Sequence, residues 1–325
     1  MAIVLDAMGG DYAPAAAIEG AIRAAADGIK IFLAGPAERL VPLCENADNV
    51  EILDAPEIIS MADAPSDVLR RKPNSSIMVG VRKAKSEGIP FVSAGNTGAC
   101  MAAALTCFGR IGGIKRPPIA SVFPGVSGRN TLALDVGANV DCTPQNLLNF
   151  AVMGLAYSKA VLGVESPSVG LLSNGEEKEK GNSLTVEAHQ LLLASGLPFQ
   201  GNVEGFDALS GACDVLVTDG FAGNILLKTA EGVTKALLGL LHSSAPENRE
   251  DWSEDLKKVY RSLSVYNPSN IEHSGAPLLG INGTCFIVHG SADSNTIYGS
   301  CLMSEKLGKS DLVDKITEGL QDLDT

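Results

Sequence analysis

Short, almost wholly apolar runs recur along the chain, and each ends in small or polar residues. They are Ile3–Leu5, Ile29–Ala34, Val50–Leu53, Phe91–Ser93, Ile119–Phe123, Leu132–Leu134, Val169–Leu172, Val215–Val217 and Cys285–Val288. A strand open to water on one face alternates polar and apolar residues, and these do not. They predict central strands of a mostly parallel sheet, covered on both faces.

Helical spacing fills the intervals. Asn74-Ser75-Ser76 precedes Ile77, Val81 and Ala84 on one face, with Gly88 placed to end the helix. Thr143-Pro144 offers a cap followed by proline at the first helical position, and apolar spacing continues to Gly163. Further helices are predicted over Leu184–Ser195, Ile225–Leu241 and Ser294–Leu307. Strands alternating with helices define an α/β class with a mostly parallel sheet and helices on both faces. The 325 residues suit a single α/β unit. It divides into two lobes, 1–115 with 284–325, and 116–283. A polar stretch over 242–277 carries Pro246, Pro268, Pro277 and the single tryptophan, Trp252. It reads as an excursion from the core.

Composition removes several function classes. With 45% hydrophobic and 19% charged residues the chain is not disordered, collagenous or a coiled coil. A net charge of −13 opposes general nucleic-acid binding. Cys44, Cys100, Cys107, Cys142, Cys213, Cys285 and Cys301 are scattered and form no C-x-x-C pair. Reduced thiols in a cytoplasmic protein are the expectation. No basic leader and no membrane-length apolar run is present, so neither secretion nor spanning is expected.

In open α/β sheets ligands bind beyond the carboxyl ends of the strands. Those ends read Asp6-Ala7-Met8-Gly9-Gly10-Asp11, Ala94-Gly95-Asn96-Thr97-Gly98, and Asp135-Val136-Gly137-Ala138-Asn139. The others read Ser173-Asn174-Gly175-Glu176-Glu177 running on to Lys180, Thr218-Asp219-Gly220-Phe221 running on to Asn224, and His289-Gly290-Ser291. Glycine with Asn, Asp or Ser at six such ends predicts one composite, anion-binding site. The P-loop, the dinucleotide fingerprint, the zinc-protease motif and the nucleophile elbow are all missing, although Gly125-Val126-Ser127-Gly128 partly imitates the last. The four histidines lack paired metal-ligand spacing. Neither a metal nor a cofactor is expected.

Taken in order, these strings resemble the bacterial acyl-ACP:phosphate acyltransferase family of the PlsX type. The match includes Asp6-Ala7-Met8-Gly9-Gly10-Asp11, Ser93–Ala99, Leu134–Asn139, Gly175-Glu176-Glu177 with Lys180-Gly181-Asn182, Thr218–Phe221, and Gly275–Gly280 leading to His289-Gly290-Ser291. The resemblance implies that acyl-ACP and inorganic phosphate give acyl phosphate and ACP, early in phospholipid synthesis. It implies a homodimer, a downstream membrane acyltransferase as partner, and peripheral association with the inner face of the cell membrane. It also implies a fold like isocitrate/isopropylmalate dehydrogenases and phosphotransacetylases. A nicotinamide-dependent dehydrogenase on a related scaffold and a non-catalytic acyl- or ACP-binding module are the alternatives.

Phosphate attack on a thioester needs a held anion and a polarised carbonyl, while the thiol leaves readily. Lys180 is the first candidate for a cation on phosphate or oxyanion; it reads equally as one solvated charge in Glu176–Lys180. His289 is a candidate donor to the oxyanion or the leaving thiolate, or else a buried structural histidine. Asp6, Asp11, Asp135 and Asp219 repel phosphate and are expected to orient donors. Asn96, Thr97, Asn139 and Asn224 are neutral donors or helix caps. Gly9, Gly10, Gly98, Gly137, Glu176 and Ser291 complete the candidate set. Arg70-Arg71-Lys72 and Arg110, Lys115 and Arg116 are the candidate patch for the acidic carrier protein. Near the excursion, Trp252, Leu256, Val259, Tyr260 and Leu263 have helical spacing. That face either meets a membrane weakly, covers the protein's own core, or closes a dimer groove.

Overall fold

The computed structural model describes residues 1–45, 47–65, 70–246, 251–264 and 274–323. The chain opens with β1 (Ala2–Asp6), α1 (Ala15–Ala26), β2 (Lys30–Gly35), α2 (Ala37–Cys44) and β3 (Val50–Asp54). Next come α3 (Ser76–Glu87), β4 (Phe91–Ser93), α4 (Thr97–Cys107), β5 (Ala120–Phe123) and β6 (Thr131–Leu134). Then follow α5 (Pro144–Ala160), β7 (Val169–Leu172), α6 (Ser183–Ala194), β8 (Phe199–Val203), α7 (Asp207–Ser210) and β9 (Val215–Val217). The remainder is α8 (Gly220–Ser244), α9 (Glu254–Ser264), β10 (Ala276–Pro277), β11 (Cys285–Ile287), α10 (Ser294–Gly308) and α11 (Leu312–Asp322).

Two sheets result. The first runs β10-β11-β4-β1-β2-β3 and the second β5-β6-β9-β7-β8. All pairings are parallel except β10 with β11 and β5 with β6. Successive side chains of β1 enter opposite layers, as the period of two requires. Ile3 and Leu5 pack with the alanines of α1 and with Ile297 of α10, while Val4 packs with Phe32, Ile77 and Val81. Both faces are therefore covered, and the apolar runs follow from that burial.

Local chemistry sets the helix ends. Ser75 caps α3, and Gly88 ends it at φ +65°. Thr143 and Asn146 form a reciprocal capping box on α5, with Pro144 in the first turn. α5 is buried along most of its length, packed by β6, β9, α6 and α11. Helix α11 thus returns the chain to the second sheet after β11 has joined the first.

Four strands differ from the sequence reading; β5, read as central, is the antiparallel edge of the second sheet. β3 is an edge strand whose residues are half-buried or exposed, not a central strand. β8 was hidden by its polar sequence, Phe-Gln-Gly-Asn-Val, with Gly201 at φ +108° and a register irregularity against β7. β10 is two residues long and includes Pro277, which a β-strand pattern does not predict. Parts of the 242–277 stretch, at 247–250 and 265–273, lie outside the described residues. What is described there forms the end of α8, Trp252, α9 and β10.

Candidate active site

The carboxylates at the strand ends hold loops. Asp6 is 2% exposed. Its Oδ2 accepts from Ser93 Oγ at 2.7 Å and its Oδ1 from the Met8 amide at 3.0 Å. Ser93 Oγ accepts in turn from the Gly95 amide at 3.0 Å, so the ends of β1 and β4 form one polar unit. Gly9 passes so close above it that a Cβ there would sit 2.4 Å from the Gly95 nitrogen. Asp135 is fully buried. Its Oδ1 accepts from the amides of Ile119, Gly137 and Ala138, and its Oδ2 from both the amide and Nδ2 of Asn139. Burial raises the pKa of both carboxyls above the usual aspartate value, and the donors offset part of that. Asn139 also donates to the Pro117 carbonyl. Asp6, Gly9, Asp135 and Asn139 therefore form the floor beneath the loops.

Asp219 caps α8, its Oδ1 accepting from the amides of Phe221 and Ala222. Gly223 lies against the Asp135 carbonyl, where a Cβ would approach the oxygen to 1.9 Å. The first turn of α8 is thereby seated on the β6 loop. Asn96 caps α4 through the Ala99 amide and donates Nδ2 to the carbonyls of Met61 and Asp63. Both of its polar atoms are engaged. Gly98 lies against Pro65. The Asp11 amide donates to the Gly290 carbonyl at 2.7 Å, with Gly10 at φ +96° making that turn.

Between the two sheets these loops enclose a cleft of about 670 Å³. Asp11, Thr97, Gly137, Asn224, His289 and Ser291 line it, so five of the six predicted strand ends converge. His289 is exposed there rather than buried. The Ser291 amide donates to His289 Nδ1 at 3.2 Å, and Ser291 Oγ lies 2.8 Å from the same nitrogen. An amide can only donate, so Nδ1 accepts and the neutral ring carries its hydrogen on Nε2.

Phe221 of the fifth strand end also lines this cleft, as do Lys228 and Glu231, which reading the loops alone missed. Lys228 Nζ lies 2.8 Å from Glu231 Oε2. Asn224, Lys228 and Glu231 stand at i, i+4 and i+7 of α8, a helical stripe visible in the sequence.

A second cleft, of about 710 Å³, lies on the other side of the α8 N-terminus. Phe221 lines both clefts. The sixth strand end faces this second one through Ser173, Asn174, Gly181 and Asn182, and Asp219 joins them. Lys180 and Glu176 are exposed on the adjoining loop, which the Lys180 amide closes by donating to the Glu177 carbonyl at 2.9 Å. The Lys180 stem covers Gly175. Neither side chain lines the first cleft.

Other candidates have defined surroundings. Arg70, Arg71, Arg110, Lys115 and Arg116 are exposed, whereas Lys72 pairs with Asp63 at 2.5 Å. The α9 face packs inward: Trp252 is buried, its ring and that of Tyr260 meet His242, and α9 lies along α8. Val259 remains exposed. Ser127 of the elbow-like tetrapeptide donates to the Ser210 carbonyl. All seven cysteines are free thiols, and burial pushes Cys213, Cys285 and Cys301 up to about 12, where a thiolate nucleophile is disfavoured. Among the described residues no cluster of His, Cys, Asp and Glu is arranged to hold a metal, and no helix is long and apolar enough to cross a membrane.

Comparison with known proteins places these features in context. The fatty acid synthesis protein family matches residues 1–315. A phosphate acyltransferase of Nostoc punctiforme is 44% identical, with 97% of this chain and 95% of that protein covered. One from Gloeobacter violaceus is 43% identical over 98% and 95%. Among solved structures, the EutD phosphotransacetylase of Staphylococcus aureus aligns with a TM-score of 0.62 at 16% identity, covering 94% of each chain. A phosphotransacetylase of Streptococcus pyogenes gives 0.61 at 18%, covering 95% and 94%. The latter two show a shared fold.

Proposed function

The chain belongs to the fatty acid synthesis protein family, and from that membership we propose that it transfers the acyl group of acyl-ACP to inorganic phosphate in the cleft between its two sheets. It is an acyltransferase: acyl-ACP and phosphate become acyl phosphate and ACP. The observation that carries the assignment of the site is the convergence of five glycine-bearing strand ends, His289 and Lys228 on one cleft.

In this reading phosphate lies near the α8 N-terminus, with Asn224 and the strand-end amides as neutral donors and Lys228 as the cation. A phosphate oxygen attacks the thioester carbon, and the C–S bond breaks as the new C–O bond forms. The thiolate leaves with the His289 Nε2–H hydrogen-bonded to the sulfur, and it is protonated by the hydrogen that the attacking phosphate gives up. Lys180, at the rim of the second cleft, faces the developing oxyanion. Glu176 shares its loop. Asp6, Asp135, Gly9, Asn96, Gly98 and Asn139 hold the loops; Asp11, Thr97, Gly137 and Ser291 shape the cleft. Positioning and fixed charge supply the rate effect, with no covalent acyl-enzyme.

The same proposal includes two lobes, 1–115 with 284–325 and 116–283; β1–β4 with β11, and β5–β9, follow that division, while β10 and α11 cross it. It includes a homodimer, supported by the exposed apolar residues Val233, Leu237 and Leu240 of α8. Carrier docking falls to Arg70, Arg71, Lys72, Arg110, Lys115 and Arg116. Contact with the cytoplasmic membrane surface, where a downstream acyltransferase would collect the acyl phosphate, is weak and apolar.

Purified protein incubated with acyl-ACP and labelled phosphate is expected to yield labelled acyl phosphate. Trapping a stoichiometric acylated Ser or Cys by mass spectrometry would overturn the direct-transfer mechanism.

A further inference from the structure

The two clefts flanking the α8 N-terminus differ in chemistry. The first carries the full charges of Asp11, Lys228 and Glu231. The second is lined by the apolar Leu147, Leu171, Leu184, Ile225 and Leu226, together with polar groups that include a single charge, the α8-capping Asp219. Another of these groups is Ser173, whose Oγ is buried without a hydrogen-bond partner. A buried, unmatched hydroxyl beside an apolar floor suits an amphipathic ligand with an acceptor at one end and hydrocarbon at the other. Phe221, 61% exposed, stands on the ridge between the clefts and lines both.

We propose that the second cleft is the acyl-chain site: the hydrocarbon tail of the acyl thioester lies on the leucine floor, and its carbonyl reaches the ridge at Phe221. This rests on the acyltransferase reading above. The tail avoids the charged cleft because burying charge against hydrocarbon is costly. Phosphate avoids the apolar one for the same reason. The thioester carbon is then presented between them, with the Ser173 hydroxyl facing the carbonyl end. Thr229 lies two turns of α8 beyond Phe221, about 12 Å along the axis, and also lines the cleft. The space between these residues sets the chain length accepted.

The test uses the full chain and ACP loaded with butyryl, octanoyl or hexadecanoyl groups. For the wild type, each methylene removed from a chain that fits the floor lowers kcat/KM by about fourfold, the value of one buried CH2. Thr229→Trp, at an exposed helical position, is expected to lower the hexadecanoyl-to-butyryl ratio of kcat/KM at least tenfold. Ile225→Arg, also exposed, gives the same direction and guards against misfolding of the first variant. A hexadecanoyl-ACP with a photoreactive terminal carbon should label Leu184, Leu226 or their neighbours. An unchanged ratio in both variants, or label on Leu238 or Tyr260 in the groove farther along α8, would overturn the assignment. If no thioester yields acyl phosphate, the reaction reading fails; the position of the photolabel still decides where the chain binds.

Discussion

Ser93 Oγ donates to Asp6 Oδ2 at 2.7 Å, joining two strand ends that are 87 residues apart in sequence. The same hydroxyl accepts from the Gly95 amide, so it is the pivot between the β1 and β4 loops. Ser93→Ala leaves a buried carboxylate oxygen and an amide short of a partner. The expected cost is about 2–3 kcal/mol. Urea unfolding should show a lower midpoint with an unchanged slope. A midpoint equal to wild type would mean that the pair does not secure the loops.

Asp6 also sets a pH dependence. Burial raises its folded-state value above the unfolded value near 3.8, so the folded protein takes up a proton first as the pH falls. The resulting stability is fully present below 3.8 and is lost as the pH rises through the higher folded value. Wild type should therefore gain stability relative to Asp6→Asn as the pH is lowered from 7 towards 4. Parallel pH profiles of the two proteins would contradict the raised value.

The cations have separate tasks. Lys228→Met should lower kcat/KM for phosphate by about 10–100-fold, the loss of one charge-assisted contact. Lys180→Ala should lower kcat by a similar factor, through the oxyanion, with folding intact. Lys178, exposed and 3.7 Å from Glu179, is the control; its replacement by Ala should change either constant less than twofold. Steady-state kinetics with phosphate and acyl-ACP varied in turn separates the three.

Gly223→Ala brings a methyl group into the Asp135 carbonyl, because the Cβ position lies 1.9 Å from that oxygen. The first turn of α8 must move away from the β6 loop. A destabilisation of about 1–3 kcal/mol is expected, with loss of phosphate turnover. Thermal melting and activity measured together check it; a fully active variant would show that the seating of α8 is loose.

The sheet was legible because its strands are buried on both faces, which makes apolar runs diagnostic. β8 and β10 were not, since Gly201 and Pro277 interrupt the pattern and neighbouring strands supply the pairing. The strand ends announced the cleft through glycine with Asn, Asp or Ser. Those residues alone did not reveal that Asp135 faces five donors, since that depends on Ile119 being folded back from the preceding segment. Lys228 and Glu231 escaped notice for a different reason. They sit on the third and fourth turns of α8, where one exposed charge looks like any other until the opposite sheet closes over it.

Strand order also dictates when each half can form during synthesis. β5 to β9 are all translated by Val217, whereas the first sheet waits for β11 at Cys285–Ile287 to pair with β4. The N-terminal strands emerge from the ribosome first yet acquire their last neighbour late. A nascent chain should therefore present the edge of β4 to chaperones while its second sheet is already closed.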